Sequence, residues 1–397
     1  MIRGPCKKPI CTRCRLTTTR ARSRDDIVSD ATIALQRMRL GKHAQSQVLL
    51  GLRGTGKTVL LNTIENAAED AGYMTSAIEA PEHKGLAELL YPKMQQALRK
   101  LSLIESAKSK AHAAMKALRS FASAFKVKIG DLSVSVDPEP GVADSGNLEY
   151  DLPDMFVAIG QAAKAAGNGW CLLIDEVQYL KSDELAALIV AIHKVGQKQL
   201  PVIFFGAGLP QLAGLSGDAK SYAERLFAYP KVGPLDQESA SRAVLDPIKD
   251  EGERMTERAL NEIYRITGGY PYFLQEWGFQ AWNMADESPI DVTDVKKATA
   301  RALQRLDEGF FQVRFDRLTP KEREYVIAMA KLGHGPYRSS EIAERLGEPP
   351  SKLGPRRAQI IAKGMIYSPQ HGDIDFTVPM FDDYLQRNLS PQASASL

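Results

Sequence analysis

Eight consecutive residues near the start of the chain have the types and spacing of a phosphate-binding loop: Gly51, Leu52, Arg53, Gly54, Thr55, Gly56, Lys57 and Thr58. They fit the pattern G-x-x-x-x-G-K-[ST], and Val59 follows at the start of an apolar run. The glycines allow backbone N–H groups to close around a phosphate, and a helix N-terminus adds its positive end. We predict that Lys57 contacts the β- and γ-phosphate oxygens and that Thr58 binds Mg2+. The loop therefore predicts a site for ATP with Mg2+.

A pair of acids ends an apolar run further along the chain, in Cys171-Leu-Leu-Ile-Asp175-Glu176. A buried strand that ends in this way places two carboxylates at the carboxyl edge of a sheet, across from the phosphate loop. We predict that Asp175 holds the magnesium through water and that Glu176 orients and polarises the attacking water. Lys57 and Glu176 are thus the predicted catalytic groups of an ATP hydrolase.

The elements that must position these groups alternate between strands and helices. Because parallel strands must be joined by crossovers, this alternation predicts an α/β fold, a parallel sheet with helices on both faces and function at the carboxyl ends of its strands. The predicted strands are 47–50, 73–80, 170–176 and 201–208, and the predicted helices are 25–41, 59–72, 85–101, 153–166 and 183–196.

Two stretches depart from that alternation. Residues 102–150 predict an insertion, with a solvated Lys/Ala-rich helix at 107–128 and a small hairpin and loop after Lys126. After Pro234 the apolar runs are helical only, at 236–251, 255–267, 270–285 and 291–308. From Leu318, three short helices, a two-stranded turn at His371–Asp373 and a final helix give the outline of a winged helix-turn-helix.

These patterns predict five segments. They are a basic, disordered leader at 1–24, a P-loop ATPase domain at 25–234 with its insertion at about 102–150, an all-helical lid at 235–310, a winged-helix domain at 316–390 and a disordered tail at 391–397.

Composition limits the remaining function classes. Apolar residues make up 44% and charged residues 25%, with no apolar stretch long enough to span a membrane and no secretory signal, so we expect a cytoplasmic protein. Residues 1–24 carry eight Lys or Arg and no acid, and removing them takes the formal charge from +3 to −5. Overall basicity therefore gives no argument for nucleic-acid binding. Cys6, Cys11 and Cys14 lack a fourth zinc ligand, which favours reduced thiols.

Together, the motifs GLRGTGKT, LLIDE, GAGLP and TGGYPYFLQ and the winged-helix outline give a resemblance to a known family. The chain resembles the AAA+ superfamily, in particular its initiator-type (origin-recognition-like) ATPases and the archaeal-type ATPases of the STAND group. The resemblance implies a nucleotide between the sheet domain and the helical lid, and DNA contacts from the winged helix.

The resemblance carries over unevenly to the finer site residues. The polar residue that ends the fourth strand in the family is replaced here by Phe205-Gly-Ala-Gly-Leu-Pro210, with Gln211 the first polar group. Tyr272, not an arginine, follows the Gly268-Gly-Tyr-Pro271 turn of the lid. Arg225 lies where initiator-type proteins carry an arginine finger that acts on a neighbouring subunit, and a solvated helix arginine is the alternative. These departures imply slow hydrolysis and a nucleotide-dependent switch.

The C-terminal module offers candidate contacts to double-stranded DNA at Lys352, Arg356, Arg357 and Lys363, on one predicted helix. Residues 319–390 hold ten Lys or Arg against nine acids, which is a weak excess for DNA binding. One alternative is a STAND-type regulator whose winged helix contacts a protein partner. A second is a self-associating remodelling ATPase that works as a ring.

Overall fold

The computed structural model describes residues 22–81, 84–127, 142–370 and 372–388, with side chains from Arg24 onwards. The predicted leader, the tail, most of the predicted hairpin after Lys126 and the turn residue His371 lie outside the described residues. The chain divides into two compact units. We call Arg24–Gly51 with Lys57–Val232 the sheet unit, and Gly233 onwards with the loop tip Leu52–Gly56 the C-terminal unit.

The sheet unit is built on five parallel strands, as the alternation of strands and helices predicts. The fifth strand, a two-residue edge strand, was not predicted. The strands are β1 Ser46–Leu50, β2 Tyr73–Glu79, β3 Gly169–Asp175, β4 Val202–Gly208 and β5 Phe227–Ala228. Their order across the sheet is β2-β3-β4-β1-β5, so β3 and β4 are neighbours and β1 lies beside β4.

Alternate residues of each strand point to opposite faces of this sheet, and both faces are buried. On β3, Trp170, Leu172 and Ile174 belong to one hydrophobic cluster, whereas Cys171 and Leu173 belong to the other. The indole Nε1 of Trp170 donates to Ser76 Oγ at 3.0 Å, which satisfies the one polar atom of this fully buried ring. Such a double-sided core explains why the strands read as continuous apolar runs.

The helices of the sheet unit cover these two faces, and two of them differ from the prediction. They are α1 Arg22–Arg39, α2 Lys57–Asp70, α3 Leu86–Ser102, α4 Glu105–Ala124, α5 Leu148–Ala165, α6 Ser182–Gln197, α7 Leu212–Ala219 and α8 Ala223–Leu226. The prediction of a solvated helix at 107–128 was wrong, because Ala111, Ala114, Leu118 and Phe121 form a buried stripe on α4.

The start of α5 was placed too late at Pro153. Asn147 caps this helix, and its side chain accepts from the N–H of Glu149 at 3.0 Å. The buried carboxylate of Asp151 accepts from the backbone N–H of Ser145 and of Gly146, so it holds the chain that enters the helix. Pro153 lies near the beginning of α5, where the missing N–H costs little.

The C-terminal unit begins with the predicted run of helices. They are α9 Gln237–Asp250, α10 Glu257–Thr267, α11 Pro271–Met284, α12 Val292–Leu306 and α13 Gln312–Asp316, and a π-helical segment at Asp307–Phe311 joins the last two. Caps by Asp236, Thr256 and Asp291 explain where three of these helices start. The fold class, a parallel sheet with helices on both faces followed by a helical segment, is therefore confirmed.

The last part of the C-terminal unit combines short helices with a small antiparallel sheet. Its elements are α14 Pro320–Ala330, β6 Tyr337–Arg338, α15 Ser339–Leu346, α16 Pro350–Ala362, β7 Ile366–Tyr367, β8 Asp373–Phe376 and α17 Phe381–Asn388. The sheet has three strands in the order β6-β8-β7, one more than the predicted two-stranded turn. One hydrophobic cluster runs from Leu235 to Leu385, so the whole unit shares a core. Among the described helices, none is both long and apolar enough to cross a membrane.

Candidate nucleotide-binding site

Hydroxyl and carboxylate oxygens meet at the carboxyl edge of the parallel sheet. The Thr58 hydroxyl, in the first turn of α2, donates to Asp175 Oδ2 at 2.5 Å. The other oxygen of this carboxylate, Oδ1, accepts from the backbone N–H of Glu176 at 2.8 Å. The structure therefore brings Thr58 to the acidic pair Asp175 and Glu176, although Asp175 lies 117 residues later in the chain.

Lys57 is held at the beginning of the same helix. It is only 5% exposed, and its Nζ donates to the carbonyl of Gly51 at 2.9 Å. The N–H of Gly51 in turn donates to the carbonyl of Gly208 at 3.1 Å, which anchors the start of the loop on the end of β4. A buried ammonium at the end of β1 is a fixed positive charge at the point where the loop turns into a helix.

The loop tip has the backbone conformation that its glycines predict. Gly54 and Gly56 have φ of +81° and +85°, in the left-handed region that side chains with a Cβ rarely adopt. Thr55 is buried, and its hydroxyl donates to the carbonyl of Leu52 at 2.9 Å. These contacts shape the tip as a tight turn.

Within the C-terminal unit, the loop tip has close neighbours. The N–H of Arg53 donates to the carbonyl of Thr377 at 3.3 Å. A Cβ added at Gly54 would lie 3.1 Å from Tyr270 Cε1 and 3.1 Å from Tyr272 Cβ. Tyr270 is buried in the core, whereas Tyr272 is partly exposed and stacks on Phe310 with ring centroids 4.5 Å apart. A glycine is thus needed at position 54 both for its φ and for space.

The oxygen atoms of Thr58 and Asp175 fit the requirements of Mg2+, which takes hard oxygen ligands in an octahedron at ~2.0–2.1 Å. Their present separation of 2.5 Å is that of a direct hydrogen bond, which Mg2+ would replace by binding the hydroxyl and, through water, the carboxylate. An open cavity of about 220 Å³ lies beside them in the sheet unit. Its polar lining residues are Thr58, Asn62, Glu65, Glu79 and Asp175. This acidic lining suits a hydrated cation.

A further polar side chain reaches this edge, and the sequence reasoning missed it. Gln178 lies in the 3-10 turn Val177–Tyr179 and donates from its amide Nε2 to Glu176 Oε2. Its Oε1 accepts from the N–H of Leu209 at 3.1 Å, just past the end of β4. The i, i+2 spacing from Glu176 was the only sequence signal for this contact.

Arg225 lies away from this edge. It is exposed on α8, directly before β5, and β5 starts opposite Ser46, the first residue of β1. The carbonyl of Arg225 accepts from Gln45 Nε2 at 2.9 Å, also ahead of β1. Because strands run parallel at ~3.3 Å per residue, Arg225 is at the opposite end of the sheet from Thr58 and Asp175. In one copy of the chain it is not part of their site.

The glycine turn that precedes α11 has a structural role. Gly269 has φ of +73°, and a Cβ there would lie 2.1 Å from the carbonyl oxygen of Leu235. The N–H of Leu235 donates to the carbonyl of Gly269 at 2.8 Å. The Gly268-Gly-Tyr-Pro271 motif therefore joins the start of the helical segment to α11 by a close backbone contact.

Three of the four candidate DNA-binding residues already have partners within the C-terminal unit. Arg356 pairs with Glu348 at 3.1 Å, and Arg357 donates to Ser339 Oγ at 3.1 Å. Lys363 Nζ lies 2.6 Å from the carboxylate of Glu322, whose side chain is 2% exposed. Lys352 is exposed on α16. Arg356 and Lys363 thus neutralise acids of their own domain.

Removal of Lys363 should destabilise the C-terminal unit. Burial raises the pKa of Glu322, but hydrogen bonds from Lys363 and Thr319 outweigh it, so the pKa lies below its ordinary value. A carboxyl whose pKa is lowered by folding stabilises the fold above its ordinary pKa, and this contribution disappears as the pH falls through the lowered value. We expect Lys363→Ala to lower the free energy of unfolding by about 2–3 kcal/mol. This is less than the cost of breaking a fully buried ion pair, because Lys363 is partly exposed.

Urea unfolding at neutral and acidic pH measures this effect. Lys352→Ala, on the same helix but exposed, is the matched control and should leave the free energy of unfolding nearly unchanged. An equal loss in both variants would contradict a special role for the Glu322–Lys363 pair.

Comparison with known proteins agrees with this geometry. Residues 22–205 match the family model of the AAA ATPase domain, and residues 308–385 match a domain of unknown function. The Walker-type ATPase PABY2304 of Pyrococcus abyssi has a similar structure, with a TM-score of 0.60 and 17% identity over 95% of this chain and 99% of that one. The Aeropyrum pernix ORC1 protein, solved in complex with DNA, gives a TM-score of 0.48 and 12% identity over 98% and 97% of the two chains.

No curated protein sequence matches the chain significantly. Likeness to solved structures at these identities concerns the fold. The family match over residues 22–205, the parallel sheet and the loop at its carboxyl edge agree with one another. Together they support a P-loop NTPase fold in the sheet unit, and residues 22–205 match the AAA ATPase domain.

Proposed function

We propose that the chain binds Mg·ATP at residues 51–59 and hydrolyses it slowly. The observation that carries this proposal is the contact of 2.5 Å between the Thr58 hydroxyl and Asp175, which joins the end of the phosphate loop to the acidic end of β3. The AAA ATPase family match supports the same reaction.

Each residue has a defined task in this proposal. The backbone N–H groups of the loop and the ammonium of Lys57 bind the β- and γ-phosphate oxygens. Thr58 would bind Mg2+ directly and Asp175 would hold it through water, and the ion would supply positive charge against the phosphate oxygens. The carboxylate of Glu176 accepts a proton from the water that attacks the γ-phosphorus, while the bond from this phosphorus to the β–γ bridging oxygen breaks and ADP leaves.

Calorimetric titration with Mg·ATP tests this assignment directly. We expect binding heat and a rise in melting temperature for folded protein, because a ligand that binds only the native state stabilises it. Mg2+ alone is the control and should give a much smaller rise. Folded protein that shows neither heat nor a thermal shift with Mg·ATP would refute the proposed site.

The position of Arg225 supports slow turnover by a single copy. Arg225 is exposed at the far end of the sheet, so it cannot stabilise charge at Thr58 and Asp175 of its own chain. Stabilisation by Arg225 would require a second copy of the chain. We therefore propose a nucleotide-dependent switch as the role of the ATPase. Light scattering with and without Mg·ATP distinguishes it from a remodelling ring, which should assemble when nucleotide binds.

The partner proposed for the C-terminal domain is double-stranded DNA, bound through a winged helix with α16 as the recognition helix. Lys352 and Arg357 support it, because neither has a carboxylate partner among the residues that the structure describes. A protein partner remains the alternative, since Arg356 and Lys363 are engaged by Glu348 and Glu322.

Salt dependence separates these two partners. Two phosphate contacts predict that the logarithm of the DNA affinity falls with the logarithm of salt concentration with a slope of about −2. Lys352→Ala and Arg357→Ala should each reduce the slope by about 1, whereas Arg345→Ala, an exposed cation on α15, should not. Fluorescence anisotropy with a labelled duplex measures these slopes. Binding without salt dependence, or no binding, favours the protein partner.

A further inference from the structure

We propose that Gln178 is a positioning residue that holds the carboxylate of Glu176 and supplies the polar group missing from the end of β4. The inference rests on the proposed function, in which Glu176 accepts a proton from water. Gln178 lies on the turn after β3, beyond the acidic motif, which ends at Glu176.

The two ends of the Gln178 amide make different contacts, and together they fix its orientation. Nε2 donates to Glu176 Oε2, and Oε1 accepts from the backbone N–H of Leu209 at 3.1 Å. In the flipped orientation the amide oxygen would face a carboxylate oxygen and the amide nitrogen would face an N–H group, so both contacts would be lost. The amide therefore bridges the acid after β3 and the backbone after β4.

The end of β4 has the shape needed to admit this amide. A Cβ added at Gly208 would lie 2.6 Å from Gln178 Oε1 and 2.8 Å from Leu212 Cδ2. No side chain larger than hydrogen fits there without displacing the amide. The small residues in Phe205-Gly-Ala-Gly-Leu-Pro210 leave this strand without a polar side chain. They thus make space for the polar side chain of Gln178, on the turn after the neighbouring strand β3.

The backbone of Glu176 shows a second, independent sign of constraint. Its φ of 54° and ψ of 39° lie in the left-handed region, which is unfavourable for a residue with a Cβ. The 3-10 turn that follows, with the Tyr179 N–H donating to the Glu176 carbonyl at 3.0 Å, turns the chain so that Gln178 lies back over Glu176. Uncommon backbone conformations of this kind are concentrated at functional sites.

These contacts have a consequence for the proposed hydrolysis. With Oε2 engaged by the amide of Gln178, Oε1 is the oxygen that accepts a proton from water. A carboxylate fixed in one rotamer also loses less entropy when it orients that water. Removal of the amide should therefore slow turnover and leave ATP binding intact.

The test compares Gln178→Leu with Gln211→Leu. Both variants replace an amide by an apolar group of similar size, but Gln211 is the residue that sequence alone favours at the end of β4. We expect kcat of Gln178→Leu to fall by about 10- to 100-fold with little change in KM, because misplacement of a reacting group by ~1 Å costs up to ~100-fold. Gln211→Leu should keep the wild-type kcat.

Hydrogen exchange gives a second measurement that needs no nucleotide. The Leu209 amide loses its acceptor in Gln178→Leu, so hydrogen exchange in the peptide that contains it should be faster. In the Glu176→Gln background, Gln178→Leu should lower kcat little further, since both changes remove the same function.

Gln178→Glu gives a signature that a purely structural role would not produce. It keeps the size of the side chain but faces Glu176 with a second carboxylate at neutral pH. We expect kcat to be low there and to recover in part at lower pH, where the new carboxyl is protonated and can donate again. This variant also replaces Gln178→Leu if the latter does not fold.

The outcomes separate the inference from the proposed function. Unchanged kcat in Gln178→Leu with active wild type, or losses that add fully in the double variant, overturn the inference alone. If wild type neither binds nor hydrolyses ATP, the proposed function fails and the positioning role fails with it, whereas faster exchange at Leu209 still identifies the contact.

Discussion

Replacement of Lys57 by alanine is expected to weaken ATP binding by at least about 10- to 100-fold, which is the loss that follows from removing a hydrogen bond to a charged group worth ~1.5–3 kcal/mol. The side chain is 5% exposed and its ammonium lies at the carbonyl of Gly51. Its charge is therefore fixed beside the loop, and other cations cannot easily replace it. Calorimetric titration with Mg·ATP measures the loss.

Lys57→Met is the matched variant, because it keeps most of the buried stem and removes only the charge. We expect both variants to lose ATP binding and the hydrogen bond to the Gly51 carbonyl, but Lys57→Ala to lose more stability, through the cavity that it leaves. Urea unfolding without nucleotide separates the two effects. Wild-type affinity in Lys57→Met would show that the ammonium does not contact phosphate.

The sequence predicted the sheet well because its signals there are local. Continuous apolar runs mark β3 and β4, and the loop pattern marks the boundary between β1 and α2. The edge strand β5 has two residues and no apolar run of its own, since it needs only the pairing with Ser46 and Gln47. The buried face of α4 was missed because its alanines alternate with lysines, and alanine gives a weak apolar signal.

The contacts that were missed at the site depend on the order of strands. Gln178 reaches Leu209 only because β3 and β4 are neighbours, which the motifs alone do not reveal. The contact of Lys363, at the end of α16, with Glu322 also depends on the tertiary fold, because Glu322 lies 41 residues earlier in the chain. Residue types predicted a basic helix, whereas the fold determines which of its charges face solvent.

Glu176→Gln is expected to retain ATP binding and to lower kcat by about 10²- to 10⁴-fold, the usual contribution of a positioned general base. The glutamine side chain has the same size, and its oxygen still accepts from the amide of Gln178, so the local geometry should persist. Only the ability to take a proton is lost. Phosphate release under saturating Mg·ATP measures kcat, and calorimetry measures binding.

Glu79→Gln is the control for charge at this edge of the sheet, because Glu79 ends β2 directly opposite Asp175 in the register of the two strands. It removes one negative charge from the cavity beside Thr58 and Asp175 and leaves Glu176 unchanged. If the rate depends on a proton acceptor at one defined place, Glu79→Gln should turn over nearly as fast as wild type. Equal losses in the two variants would instead show that the total negative charge around the cation sets the rate, and the specific role of Glu176 would have to be abandoned.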